Sequence, residues 1–309
     1  GSSMKIMEAG NELGYEFTRT SKFIDPTRCA PGCSLCIFGC KREAKWTARS
    51  FVEEARDRGV SILTGFTVTS AIVNRNEVIG VRGHGRGVKE LFADVVVISA
   101  GGLGTPVILQ GSGIKSAGNE LFCDPFVITY GFNRKADMRK VMPMAVSSSS
   151  FYDDGWLLFT SVDPFVSFVL GTLREKSFQI RKLLRYPNIM GIMTKIRDEN
   201  TGRIHPDGTF SKGIKSRDRS RLDQGSTIAQ RILEKAGCDP DLIFTTMPKG
   251  SHPGGTCAIG RVVDENMETG IKNLYACDAS VIPESPGVPL IITCVALGKR
   301  LSRRILGLF

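Results

Sequence analysis

The run Val95-Val-Val-Ile98 restricts the fold more than any other stretch of this chain. Four consecutive β-branched apolar residues leave a strand without a polar face, so the strand must be covered on both sides. That requirement points to an α/β layer structure with helices over a sheet. The run ends in Ser99-Ala-Gly-Gly-Leu-Gly-Thr-Pro106, and a helix is predicted from Val107 through Gln110. Glycines at such a junction let the backbone approach a ligand at the carboxyl edge of the sheet, where open α/β sheets bind cofactors. The pattern is generic to α/β proteins, so alone it speaks to fold before function.

The rest of the chain suits a globular protein: 309 residues, 41% hydrophobic and 23% charged. No run approaches the roughly 18 apolar residues of a membrane span. The opening Gly1-Ser-Ser-Met-Lys5 lacks the apolar core of a signal peptide, and a cytoplasmic location is expected. The net charge of +10 is spread along the chain. Only Lys212 to Arg221 is densely basic, and with Asp218, Ser216 and Ser220 inside it the run reads as a solvated loop. Nucleic-acid binding is not expected.

Nine cysteines are present, and four of them form Cys29-x3-Cys33-x2-Cys36-x3-Cys40, with Pro31, Gly32 and Gly39 between the thiols. Short gaps with turn-forming neighbours allow a backbone to curl so that four sulfurs face one centre. The spacing is close to a bacterial ferredoxin run, differing by one residue in the first gap and by Lys41 in place of proline. A 4Fe-4S cluster suits four ligands from one tight loop. Zinc, which favours two separated cysteine pairs, is a weaker fit, and a metal-free loop is the third reading.

Periodicity predicts helices over Met4–Leu13, Ala44–Asp57, Leu173–Tyr186 and Asp223–Ala236. Strands are predicted at Val60–Thr64, Val68–Val73, Val78–Arg82, Val127–Tyr130, Trp156–Ser161 and Ile189–Ile196, with turns at Asn74–Glu77 and Asp207-Gly208. The aromatics concentrated between Phe126 and Phe168 are expected to be core. His84 and His205 are expected in exposed loops. The expected layout is an N-terminal helix and four-cysteine loop (1–46), a cofactor-domain portion (47–125), a substrate domain (126–247) and a second cofactor-domain portion (248–309).

The closing segment adds specificity. Ser251-His-Pro-Gly-Gly-Thr-Cys-Ala-Ile-Gly260, Val262-Val-Asp264, Asn273-Leu-Tyr-Ala-Cys-Asp-Ala-Ser-Val-Ile-Pro283, Gly287-Val-Pro289 and Thr293-Cys-Val-Ala-Leu-Gly-Lys-Arg300 follow in that order. Together they resemble the C-terminal signature of the glucose-methanol-choline (GMC) family of flavin-dependent oxidoreductases, and Val95 to Ile114 resembles the same family's internal strand-turn-helix. The resemblance covers most of the chain outside its middle.

This resemblance implies FAD in a doubly wound α/β domain, an inserted α+β substrate domain built on an antiparallel sheet, and oxidation of a small-molecule alcohol to a carbonyl. It implies His252 as the active-site histidine, with Asp278 at the FAD ribityl or pyrophosphate, Ala279 and Pro289 near the flavin, Val68 at the adenine, and Ala100 and Gly101 beside the dinucleotide. A cluster near the flavin would carry electrons to a carrier, which favours a dehydrogenase. Two departures stand out. The second His or Asn of the family is absent from Gly287-Val-Pro-Leu-Ile-Ile-Thr293. The Gly-x-Gly-x-x-Gly turn of the family's N-terminal βαβ unit is also absent. The chain thus resembles the C-terminal two-thirds of a family member, with an incomplete FAD domain that a second polypeptide is expected to complete. The competing expectation is a non-catalytic subunit with the cysteine loop as a metal staple.

Overall fold

The computed structural model describes residues 1–30, 33, 36, 39–137, 141–174 and 180–307. The chain divides into two compact units, the first comprising Gly1–Ile62, Pro125–Ile196 and Arg219–Lys249, the second Leu63–Asp124, Arg197–Asp218 and Gly250–Phe309.

The first unit is built on an antiparallel sheet. Among the described residues its strand order is β1 (Phe17–Arg19), β8 (Val146–Ser148), β9 (Trp156–Thr160), β10 (Ile189–Ile196), β7 (Phe126–Phe132) and β13 (Phe244–Thr245). Strand β10 runs between β9 and β7 and is buried along its whole length, Thr194 and Lys195 included. Tyr130 and Phe168 meet edge-to-face at 5.3 Å, and both are buried. Phe151 stacks on Trp156 at 3.9 Å. The aromatic-rich middle is therefore mainly core, as its composition indicates.

Helices α1 (Ser2–Glu12), α2 (Arg49–Asp57), α4 (Phe165–Arg174) and α5 (Ile180–Leu184) belong to this unit. The helix expected from Ala44 begins only at Arg49. Its first residues are held extended instead, because Asp25 N–H donates to the Ala44 carbonyl and Trp46 N–H to the Phe23 carbonyl. The helix expected over Leu173–Tyr186 lies partly outside the described residues. Val60–Thr64 forms no strand, and Val60, Ile62 and Leu63 are exposed.

In the second unit, β2 (Thr67–Asn74), β3 (Glu77–Gly85) and β4 (Val88–Phe92) form an antiparallel meander. Arg75 and Asn76, both at positive φ, make the turn expected there. Strands β6 (Asn119–Leu121), β11 (Gly202–Ile204) and β12 (Phe210–Ser211) form a small sheet, with Asp207 accepting from Thr209 in the β11–β12 turn. The predicted buried strand is β5 (Val96–Ile98), paired in parallel with β14 (Leu274–Ala276). Val96 and Ile98 are buried, but Val97 is exposed, so coverage is one-sided where the sequence predicts two. Helix α3 (Gly101–Gly111) follows β5, and α7 (Ile291–Ile305) closes the chain. The core beneath them gathers Val78, Ile98, Leu109, Cys257, Leu274, Val281 and Leu301.

Helix α6 (Ser216–Lys235) starts at the edge of this unit. The basic run Lys212–Arg221 is accordingly not a solvated loop: Ser216 onward is helical, and the Lys212 side chain is 7% exposed.

Candidate active site

The site begins with a helix that contains a proline. Pro106 lies inside α3 and has no N–H to give the carbonyl of Gly102, one turn earlier. The Thr256 hydroxyl donates to that carbonyl at 2.8 Å in its place. Gly102 also brings the next segment close: a Cβ there would sit 2.1 Å from the Pro253 carbonyl oxygen. Only a glycine lets the backbone at Pro253 lie flush on the first turn of α3. The motif from His252 to Thr256 is thereby fastened to the helix that follows β5.

The same motif is tied to the segment around Asp278. Gly255, Cys257 and Ile259 donate their N–H groups to the carbonyls of Ala279, Ser280 and Val281. Asp278 turns back to α3. Its Oδ2 accepts from Gly101 N–H at 2.8 Å and from the buried Thr105 hydroxyl at 2.5 Å, while Oδ1 accepts from Ser280 N–H at 2.7 Å. Asp278 thus organises the entry to α3, where Gly101 has φ +80°. Beside it, the Cys277 thiol is pushed up to about 11 by burial and then by the Asp278 charge.

His252 acquires a partner that sequence reading did not identify. Its Nδ1 lies 3.0 Å from Oδ2 of Asp124, whose side chain is fully buried. Ser251 donates its hydroxyl to the other oxygen of Asp124 at 3.0 Å and its N–H to the Cys123 carbonyl at 2.8 Å. Phe122 and Gly254 exchange both backbone hydrogen bonds at 3.1 Å. Residues 122–124 and 251–254 therefore form a short antiparallel pairing that carries the carboxylate and the imidazole. Asp124 has φ +31° and His252 φ +46°. Left-handed backbone at non-glycine residues is costly, and it concentrates where a site holds side chains in a set geometry. The imidazole itself is about one-third exposed, with a side-chain accessibility of 36%.

A cavity of about 870 Å³ opens at the carboxyl end of β5, lined by Val68, Val81, Val97, Ala100, Leu103 and Val107 among others. Val68 and Ala100, expected from the sequence at a dinucleotide, thus both line this cavity. Asp278, Ala279 and Gly101 are gathered at the neighbouring helix start. Pro289 is exposed just ahead of α7 and joins none of these hydrogen bonds.

Two family models, both described as GMC oxidoreductase, match residues 1–127 and 198–298. The chain belongs to the GMC oxidoreductase family. An oxidoreductase acting on CH–OH groups is the enzyme class that GMC membership assigns, and FAD is the cofactor it implies. An uncharacterized protein of Methanocaldococcus jannaschii is 34% identical over 304 residues, covering 97% of this chain and 74% of that protein. A long-chain-alcohol oxidase of Arabidopsis thaliana is 23% identical over 351 residues, covering 88% of this chain. The chain spans only 46% of that oxidase's length. Among solved structures, pyridoxine 4-oxidase from Mesorbium loti superposes with a TM-score of 0.73 at 19% identity, covering 98% of this chain and 69% of its own. The GMC fold, α/β with antiparallel sheets, is shared.

The four-cysteine loop lies partly outside the described residues. Cys29, Cys33, Cys36 and Cys40 are all free, Cys33 is exposed, and Cys40 Sγ accepts from Ala44 N–H at 3.3 Å. Among the described residues no group of three or more His, Cys, Asp or Glu is placed to hold a metal ion. Neither the comparisons nor the described residues support the expected 4Fe-4S cluster or zinc. His84 is exposed as expected, although on strand β3 and not in a loop, and His205 is half-buried beside β11.

Proposed function

We propose that the chain oxidises an alcohol to a carbonyl with FAD, using His252 as the base. The observation that carries this reading is the Asp124–His252 pair. An ionised carboxylate only accepts hydrogen bonds, so the ring nitrogen facing it holds the proton. Nδ1–H is then committed to Asp124, and the lone pair of the ring resides on Nε2. An imidazole so oriented is suited to take a hydroxyl proton near neutral pH.

The 870 Å³ cavity supports the cofactor assignment. Its apolar wall of Val68, Val81, Leu103 and Val107 suits a flat aromatic ring, and its place at the carboxyl end of a parallel strand is where α/β sheets bind dinucleotides. Ala100 and Gly101 would meet the cofactor there, and Asp278 would hold that turn in shape. FAD, when bound, supplies the acceptor for the hydrogen and electron pair that leave the substrate carbon. The chain's own part is to hold the alcohol proton: Nε2 of His252 accepts it as the carbonyl forms, and Asp124 stabilises the resulting imidazolium.

The missing His or Asn beyond Asp278 is partly offset in this reading. Asp124 does not take that residue's place on the substrate side, but it supplies the orienting charge on the other side of the ring. No step is routed through the cysteine loop, and the reading holds for a dehydrogenase and for an oxidase alike. Dye-linked and oxygen-linked oxidation of a panel of primary and secondary alcohols, by wild type and His252→Ala with FAD supplied, tests the reading. Equal rates in the two proteins would remove His252 as base.

A further inference from the structure

The Asp124 turn rests on a buried ion pair that the chemistry above does not use. The carboxylate of Asp198 accepts the N–H of Asp124 on Oδ1 at 2.9 Å and that of Cys123 on Oδ2 at 3.1 Å. Lys212 Nζ reaches Oδ2 of Asp198 at 2.8 Å, and the two side chains are 7% and 0% exposed. The Lys212 ammonium also donates to the Glu199 carbonyl, while Glu199 N–H donates to Oδ1 of Asp218 at 3.3 Å.

These bonds are arranged around one dipeptide. Cys123 and Asp124 present their amides to Asp198, and present the Cys123 carbonyl and the Asp124 carboxylate to Ser251 and His252. The dipeptide is thus gripped on one side by a buried charge and grips the imidazole on the other. Asp124 needs the grip because φ +31° is unfavourable for a residue with a Cβ. A carboxylate without solvent exposure keeps its charge only if paired, and Lys212 provides the pairing. Asp218 adds a second buried carboxyl nearby, its pKa raised by burial and then by the charge of Asp198.

We propose that Asp198 and Lys212 are positioning residues, a buried clamp that holds the Asp124 turn and through it the proton-accepting orientation of His252. Neither residue touches the imidazole; both act through the backbone of Cys123 and Asp124. The catalytic consequence rests on His252 being the base, whereas the clamp itself does not.

The chain contains three histidines, so ring ¹⁵N spectra of the whole protein without substrate resolve His252 once a His252→Gln spectrum assigns it. In wild type, His252 is expected as the Nδ1–H tautomer, and the amides of Cys123 and Asp124 exchange slowly with solvent. Lys212→Met is expected to mix the tautomers, speed exchange at both amides, and lower kcat roughly 10- to 100-fold with KM within about twofold, the scale of a misplaced catalytic group. Lys212→Arg, which keeps the charge, restores most of the tautomer preference. Asp198→Asn serves if Lys212→Met does not fold. Fast exchange of the Asp124 amide in wild type would overturn the clamp, as would an unchanged His252 tautomer in folded Lys212→Met or Asp198→Asn. Normal activity of His252→Ala would instead overturn the catalytic reading while leaving the tautomer result to decide the clamp.

Discussion

Asp124 and His252 are 128 positions apart in the chain and meet with 3.0 Å between Oδ2 and Nδ1. The contact fixes which imidazole nitrogen carries the proton, because a buried carboxylate selects the tautomer that donates to it. Asp124→Asn keeps the shape and removes the charge. It is expected to lower kcat by roughly 10²-fold or more, in the range attributed to a positioned general base, with a smaller change in KM. Steady-state kinetics of Asp124→Asn and His252→Gln check this, and the double variant should be no slower than the worse single one if the pair works as a unit.

The substitution of Thr256 for a missing backbone donor makes a second expectation. Thr256→Val leaves the Gly102 carbonyl buried without a partner and should destabilise the protein by about 1–3 kcal/mol. Pro106→Ala introduces an N–H able to bond that same carbonyl. In the Pro106→Ala background the cost of Thr256→Val should shrink. A double-mutant cycle by urea denaturation measures the coupling, and additive effects would show that the two donors do not share the acceptor.

Cofactor binding offers a third test. Val68 is half-buried on the wall of the 870 Å³ cavity. A Val68→Lys variant places a charge against apolar surface and should weaken FAD binding by roughly 10-fold or more, given the desolvation involved. Quenching of flavin fluorescence on titration with wild type and variant reads this directly. A cavity that does not hold FAD would leave the two titrations alike.

Burial of thiols predicts an alkaline limit to stability. Burial pushes the thiols of Cys238 and Cys257 from the ordinary value of 9.0 up to about 12. The folded state then keeps protons that the unfolded chain loses above pH 9. The stabilisation is complete below pH 9 and declines as pH rises toward 12, at up to about 1.4 kcal/mol per pH unit for each thiol. Urea midpoints measured from pH 8 to 11 should fall accordingly. Thiol titration in native conditions should leave Cys238 and Cys257 unreacted until denaturant is added, while exposed Cys33 reacts at once.

Local patterns in the chain located much of the architecture. The apolar run at Val95–Ile98 became β5, the alternation of Val68–Val73 became the middle of β2, and Asn74–Glu77 became its turn, because each is decided by residues adjacent in sequence. The spacing of His252 and Asp278 within their motifs likewise identified the family, and the structure places both segments against α3. The cysteine loop shows the reverse case. Its spacing matches a ligand set, and the charges of Cys33, Cys29 and Cys40 all act on the Cys36 thiol, yet among the described residues no group of three or more His, Cys, Asp or Glu is placed to hold a metal ion.

What the amino-acid order alone determined, then, are the strands, turns and motif residues whose causes are local: β-branched runs, turn-forming side chains, and a histidine set among glycines. What only the tertiary structure decided are the pairings between residues that are not neighbours in the chain. Asp124 carries no signal in its own neighbourhood beyond the proline that follows it. Lys212 reads as part of a solvated basic run until Asp198 is seen beside it. Thr256 answers a carbonyl left unpaired by Pro106, an orphan that exists only once α3 has formed. A hydrogen bond needs its two atoms within about 3 Å whatever their separation along the chain, and folding alone brings these atoms that close.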